Sequence, residues 1–281
     1  MHNTLDTLLL QALAEDGAEI DVTTLCTVPA ARQASATILT RQAGVIAGLF
    51  VAARTFSLFD PQMQITLLVA DGTPVVAGQE LMQLQGSARS LLSTERVALN
   101  FLGRLSGIAT LTAHCVSALE GTSVRILDTR KTTPGLRALE KEAVRLGGGK
   151  NHRSGLNDGV LIKDNHIKAA GGIGAAIAAA RSLAPHLLKI EIECETLVEV
   201  EQAVQAEADV ILLDNMSLEM TRAAVEFVRR ASSGIALEAS GTIGTDLAKL
   251  AAVAATGVDF ISLGALTHSA PNFDVSLEFA C

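Results

Sequence analysis

The sequence predicts an α/β protein whose second half is a parallel sheet covered by helices. Three observations carry that expectation. From Val124 onward, apolar runs of strand length alternate with helical stretches, the order that builds parallel βα units. The runs are nearly continuous in Val, Ile and Leu, as strands buried on both faces must be. Each run ends on polar or glycine residues: Asp128-Thr-Arg-Lys131, Lys163-Asp-Asn165, Glu193, Asp214-Asn215, Glu238-Ala-Ser-Gly241 and Gly264. In α/β barrels and open α/β sheets alike the carboxyl ends of the strands form the rim of the site, so these ends converge on one mouth.

Taken in order, the first hundred residues read as a mixed α/β unit. A helix is expected over Thr4–Ala14, stopping near Asp16-Gly17, followed by a loop through Asp21-Val-Thr-Thr24. Strands are expected at Ala34–Thr40, Val45–Leu49 and Gln64–Val69, with a helix near Val51–Phe59. The stretch Asp71-Gly-Thr-Pro-Val-Val-Ala-Gly-Gln-Glu-Leu81 carries turn signals around short apolar pieces. Lipoyl and biotinyl carrier modules share that spacing, but no lysine precedes Lys131 to take a prosthetic group. A long helix over Ser87–Leu105 is expected to break at Ser106-Gly107 before a second over Ile108–Leu119. The later strands are Val124–Leu127, Gly159–Ile162, Leu187–Ile192, Asp209–Leu213, Gly234–Leu237 and Val258–Leu263. Pro134 starts a helix that Gly147 stops, Thr196 with Glu199 forms a capping box, and Ser217 and Thr245 cap the two helices beyond.

Composition narrows the partners. A chain of 281 residues makes one large or two ordinary domains. Its net charge of −8 argues against a nucleic-acid partner. Ten of the 22 Lys and Arg nevertheless fall between Arg125 and Lys168, a local basic pocket suited to small anions. No run approaches the roughly 18 apolar residues of a membrane span. Asp6 and the lack of a basic leader argue against a signal peptide. Four scattered cysteines, Cys26, Cys115, Cys194 and Cys281, suit a reducing compartment, so a cytoplasmic protein is expected.

The basic stretch mixes Arg130, Arg137 and Arg153 with Lys131, Lys141, Lys150 and Lys163. Arginine forks pair with carboxylates and phosphates, whereas lysine supplies a point charge, so a substrate carrying both anions suits the mixture. Glu193 and Asp214 offer hard oxygen ligands of the kind that hold Mg²⁺ beside substrate phosphates. Ser240-Gly-Thr242 and Ser262-Leu-Gly264 follow the last two strands, where barrels bind phosphate through backbone N–H groups. No nucleophilic triad or activated thiol is evident, and strand alternation turns Cys194 away from the rim. Glu95-Arg96 reads, on its own, as a surface ion pair.

Asp128-Thr-Arg-Lys-Thr-Thr-Pro-Gly-Leu-Arg137, Gly147-Gly-Gly-Lys-Asn-His-Arg153, Leu161-Ile-Lys-Asp-Asn-His166, Leu213-Asp-Asn215 and Gly264-Ala-Leu-Thr-His268 resemble the quinolinate phosphoribosyltransferase family, the decarboxylating nicotinate-nucleotide pyrophosphorylases of NAD synthesis. So do Glu95-Arg-Val-Ala-Leu-Asn100 with Ser106-Gly-Ile-Ala-Thr110, and Glu15-Asp16 with Asp21-Val-Thr-Thr24. The resemblance implies a type II phosphoribosyltransferase: an N-terminal α/β domain over residues 1–109 with the tail 270–281, and an incomplete α/β barrel over 110–269. It further implies a homodimer, or a hexamer built from dimers, with shared active sites. The implied reaction transfers phosphoribosyl from phosphoribosyl pyrophosphate to quinolinate with decarboxylation.

On that resemblance Arg130, His152, Arg153 and Lys163 hold the two pyridine carboxylates. Lys131, Glu193 and Asp214, with Ser240, Gly241, Thr242, Ser262, Leu263 and Gly264, hold phosphoribosyl pyrophosphate and Mg²⁺. Thr129 joins the substrate site, and Lys131, Lys163, Glu193 and Asp214 are the implied catalytic groups. Arg96 reaches the partner subunit's barrel, displacing its surface-pair reading. Two positions depart from the family pattern. Ile20 stands where a glycine usually precedes Asp21, and Thr242 stands where a second glycine often follows Ser-Gly. The threonine either crowds a 5′-phosphate or adds a hydrogen bond to it. The rivals are a related enzyme for another pyridine acid, a molybdenum-transport-associated paralogue and a non-catalytic sensor of phosphoribosyl compounds.

Overall fold

Alternate residues of β1 (Gln33–Thr40), namely Ala36, Ile38 and Thr40, are buried. That face seeds the first of two units in the computed structural model, which describes residues 2–231 and 234–280 and leaves Cys281 outside. One unit comprises Met1–Leu111, Pro134–Gly147 and Ala270–Cys281, the other Thr112–Thr133 and Gly148–Ser269.

The first unit holds α1 (His2–Glu15), α2 (Val22–Thr27), β2 (Gly44–Val45), α3 (Leu49–Phe59), β3 (Gln64–Leu67), β4 (Pro74–Val75), β5 (Glu80–Ser87), most of α4 (Ala88–Ser117) and α5 (Arg137–Leu146). β1 lies between β5 and the C-terminal strand Val275–Ala280, antiparallel to both, and β3 pairs outside β5. Phe56, Met82, Leu84, Leu91 and Leu102 fill the space between this sheet and its helices.

Several expectations change here. The segment after Asp21 is a short helix and not a loop, because the Asp21 carboxylate accepts the Thr24 amide at 3.0 Å and caps it. Val45–Leu49 is not a strand: only Gly44–Val45 pairs, with β4, and Leu49 already begins α3. α4 does not break at Ser106-Gly107 and runs unbroken for 30 residues. The Ser106 hydroxyl instead bonds the Ala47 amide and carbonyl, both at 3.0 Å. A side chain at Gly107 would collide with the Pro271 carbonyl, so this glycine serves a close approach of two backbones. α5 groups with the first unit, where the sequence division puts it in the second: its buried Glu140 takes Arg104 Nη2 at 2.8 Å and Nε at 3.1 Å.

The second unit alternates strands and helices: β6 (Arg125–Leu127), β7 (Val160–Ile162), α6 (Asp164–Ala170), α7 (Ile173–Leu183), β8 (Ile190–Cys194), α8 (Leu197–Gln205), β9 (Val210–Asp214), α9 (Leu218–Ala231), β10 (Ala236–Ser240), α10 (Leu247–Ala254), β11 (Phe260–Ser262) and α11 (Ala265–His268). The six strands form one parallel sheet in the order β6-β11-β10-β9-β8-β7. β6 and β7 are its two edges and do not pair, which leaves the α/β barrel incomplete. The Thr196–Glu199 capping box forms as expected. α10 is capped by Asp246 and not Thr245, since its carboxylate reaches the amides of Ala248 at 2.9 Å and Lys249 at 3.1 Å.

β8 and β10 run further than expected, so Glu193 and Ser240 sit within the strands and obey their two-residue alternation. Glu191 and Glu193 share one face of β8, Leu212 and Asp214 one face of β9, and Glu238 and Ser240 one face of β10. Ile192, Leu213 and Leu237, on the opposite face, are fully or almost fully buried.

Candidate active site

The inward positions at the strand ends enclose a cavity of about 720 Å³. Thr129, Arg130 and Lys131 enter it from the end of β6, His152 and Arg153 from the loop between α5 and β7, and Lys163 from the end of β7. Glu193 and Asp214 line it from β8 and β9, and the two loops Ser240-Gly241-Thr242 and Ser262-Leu263-Gly264 complete the wall. Of the residues singled out in the sequence, Arg137, Lys141 and Lys150 of the basic stretch do not line this cavity, and neither does Arg96, which is exposed on α4 in the first unit.

The basic wall is held by a buried anchor. Asp128 is fully buried, and its two oxygens accept Asn151 Nδ2 at 2.6 Å and the His152 amide at 2.8 Å. This locks the 151–153 segment to the tip of β6. Arg153 donates from Nη1 to the Gly159 carbonyl at 2.9 Å, while its Nε is buried with no acceptor. Burial, and next the neighbouring Arg130 guanidinium, lower the Arg153 pKa; Glu191 and Asp158 oppose the shift. Two guanidiniums crowded in this way are stabilised by any dianion placed between them.

On the acidic wall, Glu193, Glu195 and Asp214 bring one carboxylate oxygen each within 4.8 Å of one another. An all-oxygen set of this spacing fits a hard divalent cation. Glu193 also accepts Lys163 Nζ at 2.8 Å, so a cation and an anion of the expected site are paired.

Asn215, which sequence reasoning left without a role, organises the Ser240-Gly241-Thr242 loop. Its backbone sits at φ 53°, a left-handed conformation uncommon outside glycine. From there Nδ2 donates to Asp214 at 2.8 Å and Oδ1 accepts the Thr242 amide at 2.9 Å. Gly241 has φ +106°, and a Cβ there would collide with Asn215 Oδ1. Glu238 and His268 also line the cavity. Glu238 was legible in principle as the residue two before Ser240 on the same strand face. His268 was visible as the end of a quoted motif. At Gly264 a Cβ would press on Lys131 Cδ at 3.0 Å and His268 Nε2 at 3.1 Å, so the glycine leaves room for both.

Cys194 behaves as alternation requires: it is fully buried, and burial first, then Glu199 and Glu193, push its thiol pKa up to about 12. It is no nucleophile.

The chain matches two family models: the quinolinate phosphoribosyl transferase N-terminal domain over residues 21–106 and its C-terminal domain over residues 108–278. A probable nicotinate-nucleotide pyrophosphorylase [carboxylating] of Synechocystis is 45% identical over 274 residues, covering 98% of this chain and 92% of that protein. A nicotinate-nucleotide pyrophosphorylase [carboxylating] of Mycobacterium leprae is 43% identical over 261 residues, covering 92% of this chain and 91% of that one. Among solved structures, the nicotinate-nucleotide pyrophosphorylase of Francisella tularensis superposes with a TM-score of 0.93 at 40% identity, covering 100% of this chain and 97% of that one.

Proposed function

The chain belongs to the quinolinate phosphoribosyl transferase family, and from that premise we propose how its cavity carries the reaction. It is a phosphoribosyltransferase of the carboxylating nicotinate-nucleotide pyrophosphorylase type, converting quinolinate and phosphoribosyl pyrophosphate to nicotinate mononucleotide, CO₂ and pyrophosphate in NAD synthesis. The observation that carries the residue-level reading is the polarity of one cavity, with two crowded guanidiniums on one wall and clustered carboxylates on the other.

In this reading Arg130 and Arg153 grip the two pyridine carboxylates, with Lys163 and His152 beside them. Thr129, Lys131 and the loops at Ser240–Thr242 and Ser262–Gly264 take the phosphoribosyl pyrophosphate. Phosphoribosyltransferases generally use a divalent metal. Glu193 and Asp214, with Glu195 beside them, fit Mg²⁺ here. When bound, that ion supplies positive charge against the pyrophosphate.

Departure of pyrophosphate leaves positive charge on the ribose, which the carboxylate side of the cavity faces. The pyridine nitrogen, held in line by the arginines, closes the bond to the ribose C1. The quaternised nitrogen then draws the electron pair of the adjacent C–CO₂ bond, CO₂ leaves, and the ring carbon takes a proton. The protein's part is positioning and charge, which accounts for a site rich in cations without a nucleophile.

We further read the assembly as a homodimer, or dimers built into a hexamer, with Arg96 lent to a partner's cavity. The exposure of Arg96 supports this reading. No helix of the described residues is long and apolar enough to cross a membrane. The described cysteines Cys26, Cys115 and Cys194 are free thiols, in keeping with a cytoplasmic setting.

Incubation with phosphoribosyl pyrophosphate, Mg²⁺ and quinolinate labelled in the carboxylate next to the ring nitrogen tests the assignment. Stoichiometric release of labelled CO₂ with nicotinate mononucleotide is expected. Turnover of a monocarboxylate pyridine in its place, or binding without turnover, would overturn it.

A further inference from the structure

Below the rim of the cavity lies a second layer of inward positions. On β8, β9 and β10 these are Glu191, Leu212 and Glu238, each two residues before a rim residue. Glu191 and Glu238 are separated by the whole of β9, which in a flat sheet sets strands about 10 Å apart. The curvature of this sheet instead brings one carboxylate oxygen of each, with a ring nitrogen of His152, within 4.8 Å. Glu238 is 2% exposed and Glu191 8%. Each keeps one buried oxygen, Oε1, without a hydrogen-bond partner.

The imidazole between them has a determined orientation. His152 Nδ1 accepts the Arg153 amide at 2.8 Å, so in the neutral ring the proton resides on Nε2. Nε2 faces Glu191 Oε2 at 3.0 Å and Glu238 Oε2 at 3.7 Å. The two carboxylates therefore cluster on one side of the His152 ring, and its other side meets the backbone of Arg153, whose side chain belongs to the cavity lining.

We propose that Glu238 is a positioning residue for the dicarboxylate substrate: its buried carboxyl group, acting through Glu191 and the His152 ring, fixes Arg153 where the pyridine acid binds. The groups facing it are Glu191 from β8, the apolar Leu212 from β9, Phe260 and the Ser262 hydroxyl from β11, and His152 from the loop between α5 and β7. Burial first, and the charge of Glu191 second, push the Glu238 pKa up to about 8, against smaller opposing effects of His152 and Ser262. Neutral Glu238 can donate a hydrogen bond to Glu191. Ionised Glu238 loses that donor and adds negative charge beneath a dianion. The support is thus present below about pH 8 and lost as pH rises past it.

This inference rests on the quinolinate reading of the cavity, which wild-type turnover tests by itself. The test is the KM for quinolinate and for phosphoribosyl pyrophosphate, with kcat, measured from pH 6.5 to 9.5 for wild type, Glu238→Gln and Glu238→Ala. The pyridine dicarboxylate keeps a constant charge over this range. For wild type the quinolinate KM is expected to rise above about pH 8, approaching tenfold per unit, while the phosphoribosyl pyrophosphate KM does not share that limb. Glu238→Gln, a permanently neutral donor, should keep the pH 7 value and lose the rise. Glu238→Ala should raise the quinolinate KM at pH 7 by at least about tenfold with little effect on the other substrate. A glutamine variant that retains the wild-type rise would overturn the proposal, as would substrate constants that move together. If the alanine variant does not fold, the glutamine profile decides alone.

Discussion

Replacing Arg153 by lysine separates the geometry of the guanidinium from its charge. In the wild type Nη1 is committed to the Gly159 carbonyl at 2.9 Å, and the buried Nε is a second donor with no acceptor of its own. The planar fork therefore braces itself on the chain with one nitrogen and has further donors to offer in a side chain that lines the cavity. A lysine keeps the positive charge, but its single ammonium head serves either Gly159 or a substrate carboxylate in good geometry, not both. One hydrogen bond to a charged group is worth about 1.5–3 kcal/mol, so the quinolinate KM should rise by roughly 10- to 150-fold at 1.4 kcal/mol per decade. The KM for phosphoribosyl pyrophosphate should stay within about twofold, because that substrate is assigned to the opposite wall. Steady-state kinetics with each substrate varied in turn gives both constants. A quinolinate KM within about threefold of wild type would remove the bidentate role, and equal rises in both constants would point to a general loss of structure.

The other expectations concern the rest of the cavity. Arg130→Ala should lower activity at least about 10²-fold if it fixes a substrate carboxylate, the scale of one lost preorganised contact; near-normal rates would take it out of the site. Gly241→Ala places a Cβ against Asn215 at a φ of +106°, and strain of about 1–3 kcal/mol should appear as a loss of roughly tenfold or more in kcat/KM for phosphoribosyl pyrophosphate. Mixing inactive Arg96→Ala with inactive Lys131→Ala protein under subunit exchange should restore part of the activity; no recovery with exchange confirmed would count against a shared site. Burial raises the thiol pKa of Cys115 to about 11 and of Cys194 to about 12, so both stay protonated at pH 8. Only the exposed Cys26 of these three should then react with a thiol reagent in the native protein, as mass spectrometry of labelled peptides would show.

The boundary between what was legible and what was not follows the range of each interaction. α1, α3, the capping box at Thr196 and the six βα repeats follow from side chains a few residues apart, and periodicity reports such neighbours well. α4 was misread at Gly107 because the reason for that glycine is Pro271, far along the chain. The ends of β8 and β10 slipped for a related cause. Strand length is decided by pairing with β9 across the sheet, which the local apolar run does not contain.

For the site, the chain on its own determined which residues arrive at the strand ends, and hence a basic wall, a carboxylate wall and two glycine loops. Local chemistry suffices there, because a residue at a parallel strand's carboxyl end faces the rim whatever the rest of the fold does. Tertiary structure alone decided what lies beneath. Glu191 and Glu238 meet His152 because the sheet curves enough to bring alternate strands together, and Asn215 joins Asp214 to Thr242 because its backbone adopts a left-handed turn. Curvature and turn handedness are properties of the assembled sheet, and no spacing along the sequence encodes them.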